Sequence, residues 1–134
     1  MIKKVNCILL IDDDEPTNFL HNIIISDSGR VEKVVAVQSG FEALEYLEKM
    51  ENGKYPQPDI IFLDINMPAM NGWEFLEEYD NLDEDKKGKI VVVMLTTSIN
   101  PDDKEKALSK GFINGFYNKP LSVEMIEKVI DENF

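Results

Sequence analysis

The chain has 134 residues, 43% hydrophobic and 30% charged, with 7 Gly and 6 Pro. That is one globular domain's worth of protein, and it excludes a disordered or collagen-like chain. Asp and Glu outnumber Lys and Arg by 26 to 14, and the formal charge of −12 argues against direct binding to nucleic acid or an anionic membrane. A single cysteine, Cys7, and a single histidine, His21, exclude an internal disulfide, a cysteine-based zinc cluster and a histidine-rich metal site.

In chain order, the first apolar run covers residues 7–11 and reads as a strand, with Cys7 as a small core residue. The run is too short for a signal-peptide core or a bilayer span, so a soluble, reducing, cytoplasmic location is expected. Pro16 suits a first helical turn, and Phe19, Leu20, Ile23 and Ile24 then recur on one helical face. His21, in the same helix, is expected at its surface. A second strand covers 31–37, and Ser39 and Glu42 have capping-box spacing ahead of Leu44 and Leu47. Residues 51–58 read as a polar loop before the third strand, 59–63. Asn71 and Glu74 repeat the cap spacing, with Trp73, Leu76 and Tyr79 as packing residues. Residues 81–89 read as a second polar, solvated loop. A fourth strand covers 90–95. Asn100-Pro101 opens a strongly polar helix that Gly111 is expected to close. A weaker strand at 113–117 follows, and Ser122 caps a last helix carrying Met125, Ile126, Val129 and Ile130.

Strands that are continuously apolar, not alternating, are covered on both faces, as in a parallel sheet. Five β-α units in succession predict an open α/β sheet with helices on both sides. Sites in such sheets form beyond the carboxyl ends of the strands. The residues there are Asp12-Asp13-Asp14 after the first strand, Asp64 after the third, Thr96-Thr97-Ser98 after the fourth and Lys119-Pro120 after the fifth. Clustered carboxylates either rise in pKa or are neutralised by a cation, and hard oxygen donors favour Mg2+. Lys119 supplies a positive charge and Thr96 a hydroxyl, a set of parts that suits phosphoryl transfer. Asp64, a lone acid before a tight Asn66-Met67-Pro68 turn, is the favoured nucleophile, with Asp13 the alternative. Taken singly, the acid run is a helix entry, Thr96 a satisfied strand-end hydroxyl and Lys119 a surface lysine. Their joint placement at adjacent strand ends is what carries chemistry.

The segments Leu10-Ile11-Asp12-Asp13-Asp14-Glu15, Leu63-Asp64-Ile65-Asn66-Met67-Pro68-Ala69-Met70-Asn71-Gly72, Met94-Leu95-Thr96-Thr97-Ser98 and Asn118-Lys119-Pro120 resemble those of response-regulator receiver domains. The likeness extends over essentially the whole chain. It implies a flavodoxin-like (βα)5 fold, a five-stranded parallel sheet of order 2-1-3-4-5 with helices on both faces. One receiver domain over 1–134, with no output domain, is expected. The resemblance further implies that Asp64 is phosphorylated from a phosphohistidine on a sensor histidine kinase or histidine phosphotransfer protein. Mg2+ would be held by Asp13, Asp64 and the Asn66 carbonyl, with Asp12 assisting through water. Thr96 and Lys119 would grip the phosphoryl oxygens, and Thr96 and Phe116 would form the switch. Pro120 is the candidate for a cis peptide.

The face of the last two helices and the fifth strand would meet a downstream protein partner. The protein would be a monomer or a phosphorylation-dependent dimer, slow to lose its phosphoryl group and not a turnover enzyme. Phe116 lacks the hydroxyl of the tyrosine often found at its position, so its readout would be ring packing. Thr97 is bulkier than the usual alanine or glycine and would narrow access to Asp64. Asn66 and Ser98 occupy positions that tune phosphoryl lifetime in the family.

Three other functions fit the pattern less well. A haloacid-dehalogenase-like phosphatase would want an acid two residues after Asp64, where Asn66 stands. A flavodoxin-like FMN carrier would need a phosphate loop where this chain has Asp12-Asp13-Asp14-Glu15. A receiver shape acting without phosphorylation is disfavoured by the intact residue set.

Overall fold

Strands that are apolar on both faces need cover on both, and the computed structural model, which describes residues 3–87, 90–97, 100–110 and 113–134, provides it. Five parallel strands, β1 (Val5–Ile11), β2 (Val31–Val37), β3 (Ile60–Asp64), β4 (Val91–Thr96) and β5 (Ile113–Asn118), stand in the order 2-1-3-4-5. This is the order that the resemblance implied. The helices are α1 (Glu15–Asp27), α2 (Gly40–Glu48), α3 (Gly72–Asp80), the one-turn α4 (Glu84–Lys87), α5 (Pro101–Ser109) and α6 (Val123–Asn133).

Alternate residues of each strand feed two cores. Leu9, Ile11, Ile61, Leu63, Val92 and Met94 pack with Ala43 and Leu47 of α2 and Phe75 and Leu76 of α3. Ile8, Leu10, Ile60, Phe62, Val93 and Leu95 pack with Ile25 of α1 and Ile126, Val129 and Ile130 of α6. β1 and β3 run in register, Ile8 beside Ile60 and Ile11 beside Leu63. That register brings the acids following both strands to one end of the sheet.

Helix starts follow the caps read from the sequence. Asn71 and Glu74 form a complete reciprocal box, Glu74 N donating to Asn71 Oδ1 at 2.9 Å and Asn71 N to Glu74 Oε1 at 3.0 Å. At Ser39 the hydroxyl accepts from Glu42 N at 3.0 Å, the first half of the expected box. Ser122 Oγ accepts from Met125 N. The loop expected over 81–89 contains α4, whose Lys87 pairs with Asp80 and Glu84. The closure expected at Gly111 and the role expected of Ser98 fall outside the described residues.

The largest correction concerns α1. Of the apolar face read from the sequence, Phe19, Leu20 and Ile23 are 70%, 45% and 45% exposed, and Ile24 packs, partly buried, against the core. The buried positions are Asn18, His21 and Ile25. His21, expected at the surface, is 1% exposed. The helix is turned so that its polar side chains can satisfy backbone groups beneath it.

On the opposite layer, Trp73 and Tyr79 are buried as expected. Trp73 Nε1 donates to Asp103 Oδ1 at 3.1 Å, and Lys106 Nζ lies 4.7 Å from the centre of the indole ring. These contacts tie α3 to α5, of which only Ala107 is buried.

Candidate functional site

The ends of β1, β3, β4 and β5 contribute the parts of the site. Asp12 follows β1, where its N–H donates to Val37 O at 3.2 Å and its Oδ1 accepts from Asp14 N at 3.0 Å. Asp14 caps α1 by accepting from Thr17 N at 3.2 Å and from the Thr17 hydroxyl. Its carboxylate is thereby turned from the pocket to the helix start. Asp13 between them is exposed, while Asp12 and Asp64 are buried. Carboxylate oxygens of Asp12, Asp13 and Asp64 lie within 4.8 Å of one another.

Lys119 enters this cluster from the end of β5. Its ammonium stands 2.5 Å from Asp12 Oδ2 and 3.1 Å from Asp64 Oδ1. One ammonium against three carboxylates leaves an excess of negative charge in a largely desolvated corner. Burial, then the Asp12 charge, pushes Asp64 up to about 6; Lys119 pulls it down and Asp13 raises it further. Burial pulls the Lys119 ammonium down, but the hydrogen bond and charge of Asp12 together with Asp64 outweigh it and leave it raised. The carboxylates are hard oxygen donors, one facing solvent and two inside, and they fit a small divalent cation that keeps some of its water.

Thr96 ends β4 and is 1% exposed, opposite Asn118 across the β4–β5 ladder. Lys119 N donates to Thr96 O at 2.7 Å, so the threonine and the lysine sit at tied strand ends. Thr97 beside it is exposed. The Asn66 side chain is exposed in the turn after Asp64. Phe116 is half-buried and stands back from the acids, packed against the core shared with α2 and α3. The Lys119–Pro120 peptide is cis.

The turn after Asp64 is held tightly. Gly72 N donates to Ile65 O at 2.8 Å, and a Cβ on Gly72 would meet Asp64 O at 2.8 Å and Ile65 Cα at 3.0 Å. Only glycine lets α3 start this close to the acid's own backbone. Ala69 adopts φ 67 with Met70 N donating to Pro68 O at 2.7 Å, a positive-φ γ-turn that strains a non-glycine residue.

Two contributors were missed in the sequence. Asn18 Nδ2 donates to Asp12 O at 2.9 Å and to Val37 O at 3.2 Å, joining the ends of β1 and β2. His21 Nε2 accepts from Leu121 N at 3.3 Å, just past Lys119-Pro120. Burial lowers the histidine's pKa against an opposing pull from Asp12, with Lys119 lowering it further, so the ring is a neutral acceptor. The available signal was the spacing of Asn18, His21 and Ile25, which share a helical face.

A surface cavity of about 620 Å3 lies elsewhere, lined by Cys7, Lys33, Tyr46, Lys49, Lys54 and Tyr55, and contains none of these groups. Cys7 is half-buried there, its Sγ 3.8 Å from the Tyr46 hydroxyl. No helix among the described residues is long and apolar enough to cross a membrane.

Comparison with known proteins bears on the cluster. A family model described as the response regulator receiver domain matches residues 8–131. A two-component response regulator from Cytophaga hutchinsonii superimposes with a TM-score of 0.87 at 34% identity, covering 97% of each chain. The probable methanogenesis regulatory protein FilR2 of Methanothrix harundinacea is 30% identical over 93% of this chain and 79% of its own. A Mn2+-bound form of response regulator Rcp1 matches at 26% identity with a TM-score of 0.69, over 94% of this chain and 89% of that one. Among curated relatives, the share of their length that this chain spans falls as low as 7%.

Proposed function

Because this chain belongs to the response regulator receiver family of two-component signalling, we propose that it is a Mg2+-dependent phosphoacceptor switch with Asp64 as the phosphorylated residue. The observation that carries the reading is the meeting of Asp12, Asp13 and Asp64 carboxylates with the Lys119 ammonium beyond the carboxyl ends of β1, β3 and β5.

The donor is a phosphohistidine on a sensor histidine kinase or histidine phosphotransfer protein. An Asp64 carboxylate oxygen attacks phosphorus, the P–N bond of the donor breaks, and the ring nitrogen leaves with the bonding pair and takes up a proton. Lys119 offsets the charge carried onto the phosphoryl oxygens, and the Thr96 hydroxyl donates to one of them. Asp13 and Asp64 side chains and the Asn66 carbonyl would hold Mg2+, with Asp12 assisting through water. The ion would supply positive charge to the transferring group.

Thr96 and Phe116 carry the change outward to a downstream protein partner on the face formed by α5, β5 and α6. Phe116 acts through ring packing, since it has no hydroxyl. The domain works in the cytoplasm, as a monomer or a phosphorylation-dependent dimer, without contacting nucleic acid or membrane itself. It is a phosphoacceptor that loses its phosphoryl group slowly, not a turnover enzyme.

Intact mass after incubation with acetyl phosphate tests this reading. The wild type gains one phosphoryl group in Mg2+ and none in its absence, and Asp64→Ala gains none. A phosphoryl group on Asp64→Ala would move the site to another acid, and Mg2+-independent uptake would remove the metal from the reading.

A further inference from the structure

We infer that His21 is a positioning residue for Lys119, setting through the backbone where the lysine ammonium stands relative to Asp12 and Asp64. The inference rests on the phosphoacceptor reading for its consequence, but its geometry is independent of it.

Between β5 and Ser122, the cap of α6, lies the short segment Lys119, Pro120 and Leu121. Proline has no N–H, so the segment has two backbone donors. Lys119 N donates to Thr96 O at 2.7 Å, and Leu121 N donates to His21 Nε2 at 3.3 Å. The lysine's backbone is therefore pinned on one side by β4 and on the other by α1. The ring that does the second pinning is 1% exposed, in a helix that leaves Phe19, Leu20 and Ile23 in solvent.

Burying an imidazole in place of an apolar side chain is unfavourable unless its nitrogen finds a partner. Here the partner is the loop that carries Lys119. Three residues earlier on the same face, Asn18 Nδ2 bonds the Asp12 carbonyl at 2.9 Å. α1 thus fixes the backbones of both members of the Asp12–Lys119 pair with two neighbouring buried side chains. An ammonium so placed competes with a cation for Asp12 and Asp64, and is also aimed at any phosphoryl group on Asp64. Loosening it has opposite effects on the two ligands.

The test titrates wild type, His21→Leu, His21→Phe and His21→Gln with Mg2+ alone and then with Mg2+ plus beryllofluoride as the phosphoryl mimic. Amide exchange at Leu121 is followed alongside. Leu and Phe remove the acceptor with different shapes, so the result does not hang on the folding of one variant. Both should expose the Leu121 amide to faster exchange. Both should bind Mg2+ about three- to tenfold more tightly, because the competing ammonium is loosened, and beryllofluoride about tenfold more weakly. Gln offers an oxygen acceptor and should restore both affinities to within about twofold.

Parallel loss of both affinities, as a merely structural role predicts, would overturn the inference, and so would affinities equal to wild type. A wild type that takes Mg2+ but no beryllofluoride would reject the phosphoacceptor reading. The Mg2+ arm still decides the role of His21 in that case: tighter binding in the Leu and Phe variants sustains it and unchanged binding overturns it.

Discussion

α1 and α3 both begin at strand ends that carry the acids, yet they are built in opposite senses. α3 buries Trp73, Phe75, Leu76 and Tyr79, and it approaches the site with backbone alone, through Gly72 against Ile65 and Asp64. α1 buries Asn18 and His21, leaves Phe19 and Ile23 in solvent, and reaches the site with side chains. One helix supplies burial energy. The other spends buried positions on holding strand ends and a loop, and recovers less from packing. In the layer of α1 and α6 the apolar helix is α6, with Ile126, Val129 and Ile130 buried, while α1 contributes mainly position.

The largest expected effect sharpens the α3 half of this contrast. Phe75 is fully buried, with its ring centre 6.1 Å from that of Tyr79. Phe75→Ala should cost about 3–5 kcal/mol in urea unfolding. A loss of under about 1 kcal/mol would mean the layer repacks around the cavity and that the contrast with α1 is smaller than the burial suggests.

The next effect concerns the cluster that α1 supports. Asp64 sits at about 6, against an ordinary value of 3.8. Between those values the native state retains a proton that the unfolded chain has released, so stability falls as pH rises through that window. In metal-free buffer Asp64→Asn should therefore be more stable than wild type by about 1–3 kcal/mol at pH 8, with the gain shrinking toward pH 4. Denaturant melts across that range check it, and a pH-independent difference would show that the carboxylate carries no buried-charge penalty.

The smallest effect is on the outer face of α1. Phe19→Ser, at a residue 70% exposed, should change stability by less than about 0.5 kcal/mol. A loss comparable to that of Phe75→Ala would mean that the aromatic ring is covered in solution and would erase the contrast.

These helices also mark where sequence reading succeeded and stopped. The strands were legible because burial on both faces makes residues 60–63 and 91–95 apolar throughout. α3 was legible because its apolar residues and its Asn71–Glu74 box agree on one orientation. α1 misled because apolar recurrence gives the period of a helix, and which face turns inward is decided by what lies beneath. The partner of His21 is a backbone N–H 100 residues away in sequence, and no local pattern announces it. α4 is a single turn of charged residues, too short to carry a period. The acids, Thr96 and Lys119 could be placed at strand ends from sequence, whereas the contact of Lys119 with Asp12 and Asp64 is made across the end of β4, which no local pattern specifies.

The link between α3 and α5 has an optical consequence. Trp73 is the only tryptophan in the chain, and its indole lies between an acid and a base contributed by the neighbouring helix. Asp103 approaches the ring N–H and Lys106 the ring face, so a displacement of α5 alters the local field at the one strong fluorophore. The emission of unlabelled protein is thus a built-in ruler for the most polar helix of the fold, with no dye needed at the surface that would be watched.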